Sequence, residues 1–165
     1  MAILKKKEKQ ELVKIEKTKR RKDADKIIRN HILWAMGAGT FPIPVVDVIG
    51  VTAIQVDMLR QLCVLYEIDF HENQGKTLVS AIAGGSFARG TASLIKAIPG
   101  IGSFFGGAAM SVMSGATTYA LGQVFIGNFE DGVQLIDFNI GKGEEIFEEA
   151  YEKGKEYVET IRKKD

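Results

Sequence analysis

The sequence has few of the residues that build disulfides, metal sites and catalytic centres. Its 165 residues include one cysteine, two histidines and three prolines. The single cysteine, Cys63, excludes an internal disulfide and fits a reducing compartment. His31 and His71 stand far apart, and carboxylate pairs at metal-binding spacing are missing, so no zinc or calcium set is visible. We therefore expect no cofactor, no metal and no enzymatic activity.

Two short segments approach known catalytic motifs and fall short of them. Gly75, Lys76 and Thr77 form the ending of a phosphate-binding loop, but Phe70 stands where the earlier glycine is required. The segment "GGSFA" approaches the Gly-x-Ser-x-Gly elbow but ends in alanine and lacks a preceding strand. We interpret its serine, Ser86, as a small packing residue.

Charge is scarce in the middle of the chain and concentrated at its ends. Residues 1–30 contain twelve bases and five acids, a difference of +7, whereas residues 31–141 contain four bases and eight acids. The basic segment fits the phosphates of anionic lipid or of nucleic acid, or forms a solvated helix. Because acids interrupt it and no aromatic residue precedes Trp34, we expect no nucleic acid partner.

The amino-terminal third predicts helix. No signal peptide is visible, so we expect the protein to stay inside the cell. A loosely held basic helix is followed by a fresh helical stretch that Asp23 or Asp25 caps and that Gly37 and Gly39 end. Apolar and aromatic residues recur in this stretch at helical spacing and predict one packed face: Ile27, Ile28, His31, Trp34 and Ala35.

Two prolines and a polar break divide the next helices. Pro42 and Pro44 predict an extended elbow, and Pro44 suits the first turn of a helix that continues to about Ile68. The polar segment "DFHENQGKT" then separates this helix from the following one. Asn73 is the expected cap of that helix, which we predict to start near Gln74.

The central region predicts an apolar helical hairpin. Its limbs are Thr77 to Ile98 and Ile101 to Gly127, joined by a turn at Pro99 and Gly100. Small residues recur at every fourth position of the second limb and form a smooth row against which another helix can pack closely. They are Ser103, Gly107, Ser111 and Gly115.

The carboxyl-terminal region predicts a short helical piece around Val133 to Ile136 and a last helix opened by Glu144 and Glu145. A weak apolar stripe on this helix indicates that it packs on a partner or on the body of the protein. The stripe consists of Phe147, Ala150, Tyr151, Gly154, Val158 and Ile161.

Together these patterns predict an all-α fold of helical hairpins with a glycine-rich apolar central hairpin and charged terminal helices. We expect a basic helical arm over 1–23, a helical domain over 24–140 that contains the hairpin 77–127, and an amphipathic helix over 141–165.

The hairpin fits either a membrane or a protein interior. The uncharged stretch from Ala97 to Gly127 exceeds the roughly 20 residues that a spanning helix needs. Many of its residues are small, however, and Arg89 in the first limb would cost about 2.5 to 3.5 kcal/mol at a bilayer centre. The alternative is a tightly packed bundle, or an oligomer, that buries the hairpin.

Two carboxylates interrupt the helix that begins at Pro44. Asp57 lies on its polar side within reach of Arg60. Asp47 shares an apolar face, so we expect a structural role with a polar or basic partner, for which Arg89 and His31 are the candidates.

The residues from Ala24 to about Phe138 resemble the YcjF-like domain of unknown function, a bacterial family often associated with GTPases or fused to them. The specific pieces are the elbow "IPVVD", the helix "AIQVDMLRQLCVL" and the segment "PGIGSFFGGAAMSVMSGATTYALG". The resemblance implies membrane association and no catalytic residues. This chain shows no GTPase segment, so the resemblance implies a GTPase that acts in trans.

From residues and resemblance together, we predict a membrane-associated helical module at the cytoplasmic membrane, with its termini facing the cytoplasm. Self-assembly into a homo-oligomer through the glycine row is a further expectation. The alternative is a soluble, cytoplasmic, all-helical interaction protein that buries the hairpin between subunits.

Overall fold

A computed structural model describes residues 1–38, 44–96 and 107–164, apart from the side chains of residues 38, 44–48, 87, 89–96 and 107–109. The predicted all-α fold is confirmed, since the described residues form helices and no strand. The elements are α1 (Ala2–Ala38), α2 (Pro44–Tyr66), α3 (Glu72–Lys96), α4 (Gly107–Glu130), a short 3-10 helix (Leu135–Asp137) and α5 (Ile140–Arg162).

Helix α1 runs for 37 residues without a break, so the expected fresh start at Asp23 or Asp25 is wrong. Both carboxylates make ion pairs along the helix instead of capping it. Asp25 lies 3.2 Å from Arg21, and Asp23 lies 3.7 Å from Lys26. Pairs at such spacing stabilise a continuous helix, and good helix formers surround them.

Helix α2 begins at Pro44, as the proline predicts, and ends at Tyr66, two residues before the expected Ile68. Glu67 takes the left-handed conformation with φ of 57°. The backbone amide of Ile68 then donates to the carbonyl of Cys63 at 2.8 Å, and that of Glu67 donates to Val64 at 3.3 Å. These two bonds form a Schellman motif, which satisfies the last carbonyls of the helix.

The following helices both start earlier than expected. Helix α3 begins at Glu72, so Asn73 lies in its first turn and does not cap it. Helix α5 begins at Ile140, ahead of Glu144 and Glu145, because the side chain of Asn139 accepts a hydrogen bond from the amide of Lys142 at 3.0 Å. An asparagine N-cap is favourable because it satisfies a helix amide that lacks an intrahelical partner.

Helix α4 is the centre of the bundle. It packs on α5, on the second half of α1 and on α2, while α3 is held by α5 and α2. Between Met110 and Phe129 every residue is buried or half-buried. A helix that is apolar on all sides is thereby covered by protein, although α5 and not α3 supplies most of the cover.

Gly115 of the predicted small-residue row meets Val158 of the apolar stripe of α5 in this interface. A Cβ at Gly115 would lie 2.8 Å from both Met36 and Val158, and a Cβ at Gly154 would lie 2.9 Å from the carbonyl oxygen of Ala116. The whole predicted stripe of α5 is buried on the body. Ser111 is also buried, and Gly107 is the first residue of α4.

Candidate functional site

Helix α1 has two faces and two halves. Its inner face, in the second half, buries Ala24, Ile28, Ile32 and Ala35 against the bundle. From residue 1 to residue 19 every side chain is exposed, so the first half buries no side chain on the body. At 1.5 Å per residue this half measures about 27 Å.

The side of α1 turned away from the bundle carries exposed residues at three and four residue spacing along both halves. Four of them are large and apolar: Leu12 is 62% exposed, Ile15 63%, Leu33 40% and Trp34 55%. Four exposed cations lie between these two pairs. We call this surface the outward face; it consists of Leu12, Ile15, Lys19, Lys22, Lys26, Arg29, Leu33 and Trp34.

The outward face is a surface of mostly unpaired positive charge. Lys26 pairs with Asp23, whereas Lys19, Lys22 and Arg29 have no ion-pair partner among the described residues. Arg29 and Leu33 border a hollow together with Lys164 at the end of α5, which adds a further cation beside the face. Exposed apolar groups interspersed with unpaired cations are typical of surfaces that bind something outside the chain.

A basic groove of about 460 Å³ lies where α1 leaves the bundle, and Lys22 of the outward face stands at its edge. Its two arginines are engaged within the protein. Arg21 lies 3.4 Å from Glu130 and donates to Gln123 at 2.8 Å, and Arg20 lies 5.7 Å from the ring centre of Tyr66. This groove therefore holds α1 against the ends of α2 and α4.

A polar cluster joins α1 to α2 in the middle of the body. His31 is 1% exposed, and its Nε2 lies 3.0 Å from a carboxylate oxygen of Asp57. Its Nδ1 lies 2.7 Å from the carbonyl of Ile27. Both partners are acceptors, so each ring nitrogen that carries a proton donates to one of them.

Asp57 is the centre of this cluster. It also accepts hydrogen bonds from Gln61 at 2.8 Å and from Arg60, which forms the predicted ion pair. Desolvation raises the pKa of Asp57, but hydrogen bonds from His31, Arg60 and Gln61 outweigh it and lower this pKa to about 2. The carboxylate is thus ionised at neutral pH and ties two helices together.

Two expectations for this region have different outcomes. The ring nitrogens of His31 contact Ile27 and Asp57, whereas the side chain of Asp47 lies outside the described residues, so its pairing with His31 or Arg89 stays a prediction. Trp34 contacts the His31 ring edge-on at 4.8 Å but is largely exposed, so its assignment to the packed face is wrong. Sequence reasoning noticed the charge of α1 but not that Leu33 and Trp34 share its exposed side.

The remaining predicted site residues stay predictions. Pro44 is the first residue of α2, while Asp47 and Arg89 lie in α2 and α3 with side chains outside the described set. Four further predicted residues fall in segments that the structure does not describe: Pro42, Pro99, Gly100 and Ser103.

The two segments that approach a phosphate-binding loop and a nucleophile elbow both lie within α3. Lys76 pairs with Glu72 at 2.8 Å, and the ring of Phe70 covers Gly75. Ser86 is buried in α3, and its hydroxyl has no hydrogen-bond partner in the described part of the chain. Burial raises the pKa of the Cys63 thiol to about 12, so it stays protonated.

Two apolar features complete the described surface. A cleft of about 330 Å³ lies between α2, α3 and α4, lined by residues such as Val51, Val79 and Met113. Among the described helices, the segment Ile49–Tyr66 of α2 is the one long and apolar enough to cross a membrane, and 33% of it is buried. A core helix of a soluble protein meets the same test, and this segment carries Asp57 and Arg60.

Within the described ranges no group of three histidine, cysteine or acidic residues is close enough to hold a metal ion. The described residues thus form a helical bundle whose long first helix carries an exposed face of cations and apolar side chains.

The chain belongs to the family of the Domain of unknown function (DUF697), whose model matches residues 4–156. The predicted resemblance to a domain of unknown function is confirmed at that level. The chain is 32% identical over 144 residues to Magnetosome membrane protein 22 of Magnetospirillum gryphiswaldense, covering 84% of this chain and 74% of that protein. No solved structure matches.

Proposed function

We propose that this protein is a non-enzymatic, membrane-associated helical module that binds the surface of an anionic membrane through α1. One observation carries the proposal. The first half of a 37-residue helix is basic, is exposed along its length and buries no side chain on the bundle, so it contributes a binding surface and no core. The relative named as a membrane protein supports the same location.

Surface binding fits the structure better than insertion of the central hairpin. Residues 110–129 of α4 are already covered by α1, α2 and α5, so lipid could reach this helix only if the bundle opened. The basic helix needs no such rearrangement. The inner leaflet of the cytoplasmic membrane is anionic and attracts basic segments, so we place the protein there with both termini on the cytoplasmic side.

The resemblance to a GTPase-associated domain supports a finer proposal, that a separate GTPase is the partner of this module. Self-assembly through the small residues of α4 has less support, because Gly115 already contacts Met36 and Val158 within the chain.

Membrane fractionation tests the proposal directly. We expect the protein in the membrane fraction and its release by high salt, because salt screens charge attraction. Release only by alkaline carbonate would instead favour an embedded helix. A protein that stays entirely in the soluble fraction would contradict membrane association in either form.

A matched pair of variants identifies the part of the chain that binds. A variant lacking residues 2–16 loses most of the exposed half of α1 and should become soluble. A variant with Lys76→Gln and Lys153→Gln loses two lysines from α3 and α5, away from the outward face, and should stay on the membrane. Equal behaviour of the two variants would contradict a role for α1.

The alternative is a soluble oligomeric scaffold. The apolar cleft between α2, α3 and α4 supports it, because a second copy could cover that surface. Light scattering without detergent separates the two functions. A monomer that binds vesicles supports the membrane module, whereas a discrete oligomer without vesicle affinity supports the scaffold.

A further inference from the structure

We propose that the outward face of α1 lies flat on an anionic bilayer, with apolar anchors at its two ends and lipid phosphates bound between them. Leu12 and Ile15 form one anchor, and Leu33 and Trp34 form the other. This inference rests on the proposed function and specifies which surface meets the membrane and in which orientation.

The spacing of the anchors supports a flat orientation. From Ile15 to Leu33 the helix rises about 27 Å at 1.5 Å per residue, so the two apolar pairs touch the surface at well-separated points. A helix standing on end would bring only one pair to the lipid. All four side chains are at least 40% exposed, so they reach the headgroup boundary without any change in the bundle.

The charges between the anchors identify the surface they fit. Residues 12–34 contain eight bases and three acids, and the exposed cations Lys19, Lys22 and Arg29 have no ion-pair partner within the described chain. Lys164 borders the same surface beside Leu33. Lipid phosphates provide the complementary charge along the whole length of the face.

The rest of the bundle permits this contact. The inner face of α1 holds α4 and α2, so the body lies on the side away from the membrane. A second copy of the chain is a poor occupant, because two faces with this charge repel each other. An acidic protein would match the charge too, and binding to anionic vesicles distinguishes lipid from such a protein.

Trp34 provides a direct readout, since it is the only tryptophan of the chain. Tryptophan emission should be measured with vesicles of phosphatidylcholine alone and with vesicles of equal parts phosphatidylcholine and phosphatidylglycerol. We expect a shift to shorter wavelength, and quenching by brominated lipid, on the anionic vesicles alone. Co-flotation of the same samples measures binding independently.

Two pairs of variants test the face with matched controls. Lys22→Glu with Lys26→Glu reverses two charges on the outward face, and Lys76→Glu with Lys153→Glu makes the same change on α3 and α5. We expect the first pair to bind anionic vesicles about tenfold more weakly or worse and the second to bind nearly normally. Leu33→Gln should weaken binding, whereas Val64→Gln, at an exposed apolar position on α2, should not.

The outcomes separate the two proposals. If no variant or wild-type protein floats with anionic vesicles, the membrane function fails, and an acidic protein becomes the better occupant of the face. If the protein floats but Trp34 emission is unchanged, or the face variants match their controls, the proposed membrane binding stands. The assignment of the outward face as the surface that binds is then wrong. Circular dichroism confirms that each variant is folded.

Discussion

The two halves of α1 belong to one helix but are stabilised by different things. In the second half, Ala24, Ile28 and Ile32 recur at every fourth position and are buried against α4 and α2. In the first half every side chain is exposed, and helix is favoured only by propensity, by charge and by continuity with the packed half. Packing therefore stabilises one half, and that half supports the other.

This difference indicates that the packed half stabilises the fold, whereas the exposed half is available for binding. Helix nucleation is unfavourable in water and tertiary packing supplies most of the stability of helices in proteins, so the exposed half depends on the packed half as its nucleus. Removing contacts in the packed half should lower the global free energy of unfolding. Changes in the exposed half should alter binding and leave the global free energy of unfolding nearly unchanged.

The largest expected effect is loss of a packed side chain. Ile32 is fully buried, so Ile32→Ala should lower the free energy of unfolding by about 2 to 5 kcal/mol in denaturant titrations. Ile15→Ala makes the same chemical change on the same helix at an exposed position. It should cost less than about 0.5 kcal/mol. Similar losses for both variants would mean that the exposed half packs on something in the free protein.

The contact between α1 and α4 predicts that one glycine substitution changes the free energy of unfolding in opposite directions in two backgrounds. A Cβ at Gly122 would lie 2.5 Å from the Cδ1 of Ile28, so Gly122→Ala should cost about 1 to 3 kcal/mol by overpacking, partly offset by better helix propensity. In the Ile28→Ala background that clash is absent. The same glycine change should then stabilise by up to about 1 kcal/mol. Denaturant unfolding of the four proteins measures this coupling, and additive effects would contradict the close contact.

The link between α1 and α2 predicts an acid-dependent loss of intermediate size. The pKa of Asp57 is depressed from 3.8 to about 2, so its stabilisation is full above pH 4 and is lost as pH falls towards 2. Because the side chain is 34% exposed, solvent screening limits this contribution to about 1 kcal/mol.

Asp57→Asn tests this contribution. The variant should be less stable at pH 7 by that amount, and the difference from wild type should shrink below pH 4. Asp69→Asn, an exposed carboxylate outside the cluster, serves as the control. A difference between wild type and Asp57→Asn that is independent of pH would contradict the ionic role of Asp57.

Local chemistry made much of this architecture predictable. Pro44 starts α2 because a proline lacks only an amide that the first helical turn leaves unpaired. The apolar stripe of α5 is buried because its spacing matches the helical period. The sequence did not predict Asn139 as the cap of α5, although asparagine is a favoured cap. Glu144 and Glu145 predicted a later start, because acidic residues are favoured at the amino-terminal end of a helix.

Other features depend on tertiary contacts that no local pattern encodes. An uncharged α4 is equally compatible with lipid and with a protein interior, and only its neighbours show that it is enclosed. His31 and Asp57 are 26 residues apart, and the side of α1 on which Trp34 lies follows from the packing of Ile28 and Ile32. The outward face was not predicted from the sequence, because its cations suggested a basic arm whereas Trp34 was assigned to a packed face.

The smallest expected effect compares the two halves at exposed lysines. Lys14→Gly and Lys26→Gly each replace a good helix former by glycine, at an intrinsic cost of about 1 kcal/mol to the local helix. Lys26 lies in the packed half, where helix formation is coupled to global folding, so this cost should appear in the denaturant midpoint. Lys14 lies in the exposed half, where the helix can fray while the bundle stays folded, so the midpoint should stay unchanged. Hydrogen exchange should show faster exchange around residue 14 in that variant alone, whereas equal shifts of both midpoints would show that α1 folds as one cooperative unit along its whole length.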